Sequence, residues 1–527
     1  MRNRTRLALL MMVFILLPQF WGLVSASAQV SIEGEKLIVT TPNLIATFNG
    51  PDLVRVFNRT TNELHINTIT PMKPLMKVSM LRRNTARLLD HGWHYGRSQD
   101  GGAPNSAQTM LTDLSTRVWI NVVVDRDNQD VTVTLWAESR EDEVSGLTWG
   151  IRGLDLSSGR LIIPALGGVA IDSKTTPQSL VLDYPRDWQA QMMVWESPKG
   201  GFVLYTHDKD LFKRFTLNRR GNYADLGLET QAVAPFTRNG SVKLLEWRLN
   251  AYKGDWMVPA GGYRNIMRFL RKPIELRPQN AWLKDIKFVE TFRGQAFKAE
   301  LIDALAMRSP PSQTLLYVTD WRQSPGDAEY PDFTPHADVS AFLRHARDRG
   351  FRTMLRVNVL GMQTNSPEYS SLSPYHTKDP VSGAPIEHTL NPKSTDPQRI
   401  AVMNPAAVSF RRLLLQKLNG AMVDLQPDSL LLEGSGLAWN DGNGRLSNMN
   451  FIEGMVALER TLLSTYHVVL GTDQVNEAIY PYVFLSSRPN DPSLPMHPIS
   501  EYLFGDRILF FNAPAPPRAT AAAPKDP

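Results

Sequence analysis

The strongest constraint on this chain is a change of hydrophobic period near its middle. From Val30 to about Ala251 the apolar residues fall in short alternating runs, at 44–48, 53–57, 118–124, 131–136, 201–205 and 244–249, rich in Val, Ile, Leu, Thr and aromatics. Alternation sends successive side chains to opposite faces of an extended strand, so these runs predict half-buried β-strands. Residues 117–124 and 131–136 flank Asp125-Arg-Asp-Asn-Gln-Asp130 and read as a hairpin with a polar loop. Asp125, Asp127 and Asp130 are turn acids rather than calcium ligands, because the loop lacks the Gly and the bidentate Glu of a calcium loop. About 220 residues of this texture predict a large antiparallel β-sandwich.

Between Tyr252 and Asn280 the texture changes. Gly261 and Gly262 open a short predicted helix, 263–271, closed off by Pro273 and Pro278. Beyond it, strands predicted at 286–291, 315–320, 353–359, 429–432, 467–470 and 508–511 are interspersed with helices at 337–349, 406–418 and 451–463. Val339, Phe342, Leu343 and Ala346 share one face of the first of these helices, and Gly350 follows where a C-cap belongs. Apolar strands alternating with helices mean a parallel sheet covered by helices. An open sheet and a (β/α) barrel both satisfy that pattern; polar residues at the strand ends select the barrel. The predicted fold class is multidomain, β plus α/β: an N-terminal antiparallel β-sandwich followed by a TIM-type (β/α) barrel, incomplete at its C-terminus with six strands instead of eight. The predicted division is a signal peptide at 1–28, the sandwich at 29–251, a connecting helix and linker at 252–280, the barrel at 281–512 and a Pro/Ala-rich disordered tail at 513–527.

In such a barrel the active site lies at the C-terminal ends of the strands. Here those ends are polar. The run from Leu315 ends in Asp320 and Trp321, that from Leu355 contains Arg356 and Asn358, that from Ser429 ends in Glu433, and that from Val468 leads to Asp473 and Glu477. Carboxylates beside Trp and Tyr suit carbohydrate, because acids hydrogen-bond hydroxyls or act as nucleophile and proton donor, while aromatic rings cover the apolar face of a sugar. The chain has no cysteine, which removes thiolate nucleophiles, thiolate metal sites and disulfides. Gly434-Ser-Gly lacks the frame of a nucleophile elbow, Asn440-Asp-Gly-Asn-Gly444 is a plain turn, and His336 and His345 have no ligand partner four residues on. Neither a metal nor a cofactor is expected.

The segment Asp320-Trp-Arg, then Tyr330-Pro-Asp-Phe, then Phe342 through Gly350-Phe-Arg-Thr-Met-Leu, resembles the barrel of secreted glycosidases that join a mutarotase-like β-supersandwich to a (β/α)8 barrel. Upstream, Tyr184-Pro-Arg-Asp-Trp-Gln-Ala-Gln-Met, Gly200-Gly-Phe-Val-Leu-Tyr-Thr-His-Asp208, Gly254-Asp-Trp256 and Tyr263-Arg264 fit the same group, relatives of the α-galactosidases and endo-α-N-acetylgalactosaminidases. The resemblance covers about residues 30–512. It implies a carboxylate nucleophile at the end of the fourth barrel strand and an acid/base carboxylate on a later one. Counting from 286–291 places Glu433 in the first position, where the family more often has Asp, and Asp473 and Glu477 after strand five. On this reading Glu433 attacks the anomeric carbon, Asp473 or Glu477 protonates the departing oxygen, and Asp320, Trp321, Arg356 and Asn358 hold sugar hydroxyls. Glu477 is equally placed to decorate the first turn of a helix. Trp188, Trp195, His207 and Asp208 either border the pocket from the sandwich or serve as core and turn residues.

Two alternatives stay open: a non-catalytic carbohydrate-binding or polysaccharide-handling protein on a glycosidase scaffold, and a structural sandwich protein of the cell envelope. Arg2, Arg4 and Arg6 precede an 11-residue apolar run, 7–17, and the small tripeptide Ala26-Ser27-Ala28. That is the pattern of a signal peptide, too short to span a bilayer at about 20 residues. Cleavage before Gln29 is expected, which gives a bacterial periplasmic or extracellular protein with no stable membrane insertion; a mature N-terminus that still includes 7–17 by mass spectrometry would refute it. Losing three arginines and no acid takes the formal charge from +5 to +2. With no Lys/Arg block in the mature chain, nucleic acid is not an expected partner.

Overall fold

In a computed structural model, the chain is described over residues 29–512, apart from 35, 69–74, 82–84, 89–94, 97–104, 114–115, 126–128, 141–142, 209–211, 239, 295, 325, 391–396 and 489–492. The predicted signal peptide and C-terminal tail lie outside the described residues.

The first half forms two large, mainly antiparallel sheets, of eleven and nine strands. The predicted hairpin is there: Thr116–Val124 pairs with Val131–Ser139 in antiparallel register, Trp119 opposite Trp136. The inward faces make one core that includes Trp149, Trp188, Trp195, Phe202, Phe215 and Trp247, with the indoles of Trp188 and Trp247 stacked. Trp188 and Trp195 are therefore core residues and do not border a pocket.

The nine-stranded sheet is buried on both faces where it contains Met192–Glu196 and Gly200–Tyr205. Met193 and Trp195 enter the sandwich core, whereas Met192 and Val194 pack with Tyr263 and Met267 and with barrel residues such as Tyr480. A strand covered on both sides has no wet face, so its sequence loses alternation and reads as a continuous apolar run.

The connecting helix α1 (Met257–Arg271) fills that second face. It begins six residues before the predicted start at 263 and carries Gly261 and Gly262 inside it. Pro259 falls in the first turn, where the backbone N–H has no helical acceptor to lose.

The second half is a parallel sheet of seven strands in chain order: β1 (Phe288–Phe292), β2 (Thr314–Val318), β3 (Arg352–Asn358), β4 (Ser429–Glu433), β5 (Val469–Thr472), β6 (Leu485–Ser487) and β7 (Leu509–Phe511). With its helices it makes a nearly closed barrel. Among the described residues β1 and β7 are not paired with each other. The expectation of six strands missed β6, three residues long, between Tyr480-Pro-Tyr and Arg488-Pro489. Outside pack α2 (Ala299–Ala306), α3 (Val339–Asp348), α4 (Val408–Leu425), α5 (Phe451–Tyr466) and α6 (Ile499–Phe504). Helix α4 runs seven residues past its predicted end at 418, through Asn419-Gly420, because Ala421, Met422 and Leu425 continue its buried stripe. An Asn450–Glu453 capping box starts α5. Between β3 and α4 a small antiparallel sheet is inserted, Gly361–Gln363, Glu387–Leu390 and Gln398–Val402.

Period two decides which side chains enter the barrel. Leu315 and Tyr317 of β2, Met354 of β3, Leu431 of β4 and Val469 of β5 form one interior cluster. Two residues further along β3 and β4, on the same side, come Arg356 and Glu433, and four residues past Val469, just beyond β5, comes Asp473. The barrel is apolar below and charged at its C-terminal mouth.

Candidate active site at the barrel mouth

Parallel register brings the charged ends together. Asn358 at the end of β3 lies opposite Glu433 at the end of β4. The Arg356 guanidinium forms an ion pair with Glu433 and, through Nη2, a second with Asp327 Oδ1 at 3.0 Å. Gly434, whose φ of +83° favours a residue without Cβ, turns the chain so that its N–H donates to Asp473 Oδ2 at 3.1 Å. Asp473 thus sits on the amide next to Glu433.

These groups are shielded from water, and burial is the largest single influence on each carboxyl. Burial lifts the Glu433 carboxyl to about 7, helped by the negative charges of Asp327 and Asp473 and opposed by Arg356. Asp473 is also raised by burial, against the hydrogen bonds from Gly434 and Thr472. Asp327 goes the other way. Burial alone would raise it, but the neighbouring side chains of His388 and Asn358 and the charge of Arg356 hold it down at about 2. One guanidinium between two carboxylates leaves one firmly ionised and the other poised near neutrality, the separation of roles that acid/base chemistry uses.

The remaining expected site residues divide. Asn358 is at the mouth; its Oδ1 accepts from the N–H groups of Leu360 and Gly361 at 3.0 and 2.8 Å, and its own N–H donates to the Tyr330 hydroxyl at 3.0 Å. Asp320 is half-buried and turned toward backbone: Oδ2 accepts from Gly294 N–H at 2.9 Å and Oδ1 from Gly326 N–H at 3.4 Å, tying together the loops after β1 and β2. Trp321 offers no face to a ligand. It is fully buried, stacked on Phe333 at 6.2 Å, and its Nε1 donates to the Arg356 carbonyl at 2.8 Å, so its contribution is to hold β3. Glu477 is 2% exposed and lies apart, its carboxylate taken up by Tyr184, Gln191, Tyr263 and Arg271, none of which touches Glu433. Of the two acids after β5, the structure brings Asp473 to Glu433 and not Glu477.

Two members of the site escaped the sequence reading. Asp327 lies in the loop after β2, seven residues past Asp320. His388 comes from the inserted sheet, with Nε2 3.6 Å from Asp327 Oδ2. A lone His in a polar insertion carries no periodic signal; the one available hint for Asp327 was a loop rich in acids between β2 and Tyr330. Among the described residues no cluster of His, Asp and Glu is arranged to hold a metal ion, and no helix is long and apolar enough to cross a membrane.

No known family model matches this sequence, and no curated protein matches it. Solved structures do match in fold. The α-N-acetylgalactosaminidase NagBb from Bifidobacterium bifidum in complex with GalNAc aligns over 91% of this chain and 84% of its own, with a TM-score of 0.67 and 11% identity. A quadruple mutant of the same enzyme aligns over 90% and 84%, with a TM-score of 0.68 and 11% identity. The GH36 α-galactosidase AgaB from Geobacillus stearothermophilus aligns over 87% and 75%, with a TM-score of 0.46 and 10% identity. The chain has the fold of a glycoside hydrolase-like protein, a β-sandwich joined to a parallel-strand barrel.

Proposed function

We propose that this chain is an exported bacterial glycosidase that hydrolyses O-glycosidic bonds, on α-linked sugars, by a two-carboxylate mechanism. The observation that carries the proposal is the meeting of Glu433 and Asp473 at the mouth of the barrel, with Arg356 between Glu433 and Asp327. The fold shared with an α-N-acetylgalactosaminidase supports the α linkage.

Glu433 attacks the anomeric carbon as a carboxylate while the bond to the leaving oxygen breaks and Asp473 gives that oxygen its proton. Asp473, now ionised, takes a proton from water; the resulting hydroxide equivalent attacks the anomeric carbon and releases Glu433. Asp327 stays ionised throughout, where it can accept hydrogen bonds from sugar hydroxyls beside Arg356 and Asn358. The mature protein is expected to release product from a subset of aryl α-glycosides in a panel of α- and β-anomers. No release from any glycoside would remove the activity.

One observation favours a second reading. The Arg356–Glu433 ion pair already neutralises the carboxylate that should attack, which suits a non-catalytic carbohydrate-binding protein on the same scaffold. Saturable glycan binding without product, over days of incubation, would select that reading.

A further inference from the structure

We propose that Glu477 is a positioning residue through which the sandwich and helix α1 hold the 473–477 turn, and with it the Asp473 carboxyl, in place beside Glu433. The proposal rests on Asp473 being the proton donor of the reaction above.

The turn after β5 is short, and the sandwich grips it along its whole length. Gln474 Nε2 donates to the Arg186 carbonyl at 2.6 Å. Gln189 Nε2 donates to the Val475 carbonyl at 2.6 Å, and Glu477 N–H donates back to the Gln189 carbonyl at 2.9 Å. Gln189 is itself immobilised: it is fully buried and its Oε1 accepts from Gly167 N–H at 2.8 Å and from Ser500 Oγ at 3.0 Å. Residues 186–191 of the sandwich therefore form a cradle for the turn, held in shape by bonds outside the turn itself.

Glu477 locks the far end of that turn. Its Oε1 accepts from the Tyr184 hydroxyl at 2.8 Å and from Gln191 Nε2, with Arg271 Nη2 at 3.4 Å, and its Oε2 accepts from the Tyr263 hydroxyl at 2.5 Å. Two donors come from the sandwich and two from α1. A carboxylate taken out of water is stable only if its lone pairs are filled in this way. Removing the Tyr263 hydroxyl leaves Oε2 buried without its donor, and removing the carboxylate charge weakens all four contacts at once, so either change should loosen the turn.

The near end of the same turn bears the reacting group. The Asp473 carbonyl accepts from Ser487 Oγ at 2.8 Å, while its carboxylate rests on the Gly434 amide. Asn476 Nδ2 reaches across to the Gly436 carbonyl at 2.8 Å, so the turn also fixes the loop that follows Glu433. A continuous set of bonds thus runs from Tyr184 and Tyr263 to the two carboxyls of the site. Misplacing a catalytic group by about 1 Å costs on the order of 10²-fold in rate, which is the size of effect this cradle is placed to prevent.

The test uses the full mature chain and the variants Tyr263→Phe and Glu477→Gln, with Asp473→Asn as a reference. Each is assayed on a phenyl and on a 2,4-dinitrophenyl α-glycoside, and followed by hydrogen exchange over residues 473–480. A dinitrophenolate departs without a proton, so in kcat/KM, which reports the first, bond-breaking step and not the later attack of water, a misplaced donor slows only the phenyl substrate. Tyr263→Phe and Glu477→Gln should lose at least about tenfold more rate on phenyl than on dinitrophenyl glycoside and should exchange faster at 473–480, whereas Asp473→Asn shows the first effect alone. Parallel losses on both substrates, or unchanged exchange, would overturn the proposal. Tyr263→Phe keeps the ring packed, and it carries the test if Glu477→Gln does not fold. If the wild-type chain hydrolyses no glycoside, the activity itself is refuted, and exchange at 473–480 then decides the positioning role by itself.

Discussion

Glu433→Gln should lower kcat by at least about 10³-fold, roughly 4 kcal/mol of transition-state stabilisation, with little change in the binding of product sugar. The amide matches the carboxylate in size and can still accept a hydrogen bond from Arg356, but it cannot form the glycosyl ester. The accompanying pH profile is the sharper result. Burial holds the Glu433 carboxyl at about 7 in the free enzyme, and attack needs it ionised. As pH falls through about 7, kcat/KM should therefore drop tenfold per pH unit, and above that value it should level off until Asp473 loses its proton. Arg356 opposes the rise at Glu433, so Arg356→Met, which removes the positive charge, should move this limb to higher pH. An activity that instead falls as pH rises through 7 would make Glu433 the proton donor and exchange the two roles. Wild-type turnover in Glu433→Gln would take it out of the chemistry altogether.

Why Glu433, Asp473 and Arg356 could be found from the sequence while Asp327, His388 and the work of Glu477 could not is a matter of period. A polar residue that ends an apolar parallel strand is placed by the strand itself: the alternation that buries Leu431 also points Glu433 into the mouth. Asp327 and His388 reach the site through a loop and an inserted sheet, whose paths no period encodes. Trp321 misled for a related reason. An indole after a strand-end acid looks like a sugar platform, but its direction is set by Phe333 and by the Arg356 carbonyl, contacts made by elements distant in sequence. Glu477 combined both difficulties, since each of its partners lies more than two hundred residues upstream. The sandwich was legible in its half-exposed strands and obscure at Met192–Glu196, where burial on both faces erased the alternation.

Glu459→Met should stabilise the protein, and the gain should grow with pH. The buried face of α5 runs through Met455, Leu458, Leu462 and Leu463, and Glu459 lies on it, fully buried, with neither carboxyl oxygen hydrogen-bonded. Burial pushes its pKa well above the usual carboxylate value, with no charged group set against it. The folded chain therefore keeps this proton at pH values where the unfolded chain, with a carboxyl near 4.3, has released it. With more protons bound in the folded state, stability falls as pH rises from the unfolded pKa up to the folded one, by about 1.4 kcal/mol per pH unit. Methionine fills a similar volume, suits a helix and has no proton to lose. Urea unfolding at pH 5.5 and at pH 8 should show the variant ahead at both, with the larger lead at pH 8. A lead independent of pH would mean that Glu459 is not held protonated, and a wild type more stable than the variant would mean that the carboxyl has a partner the geometry does not contain.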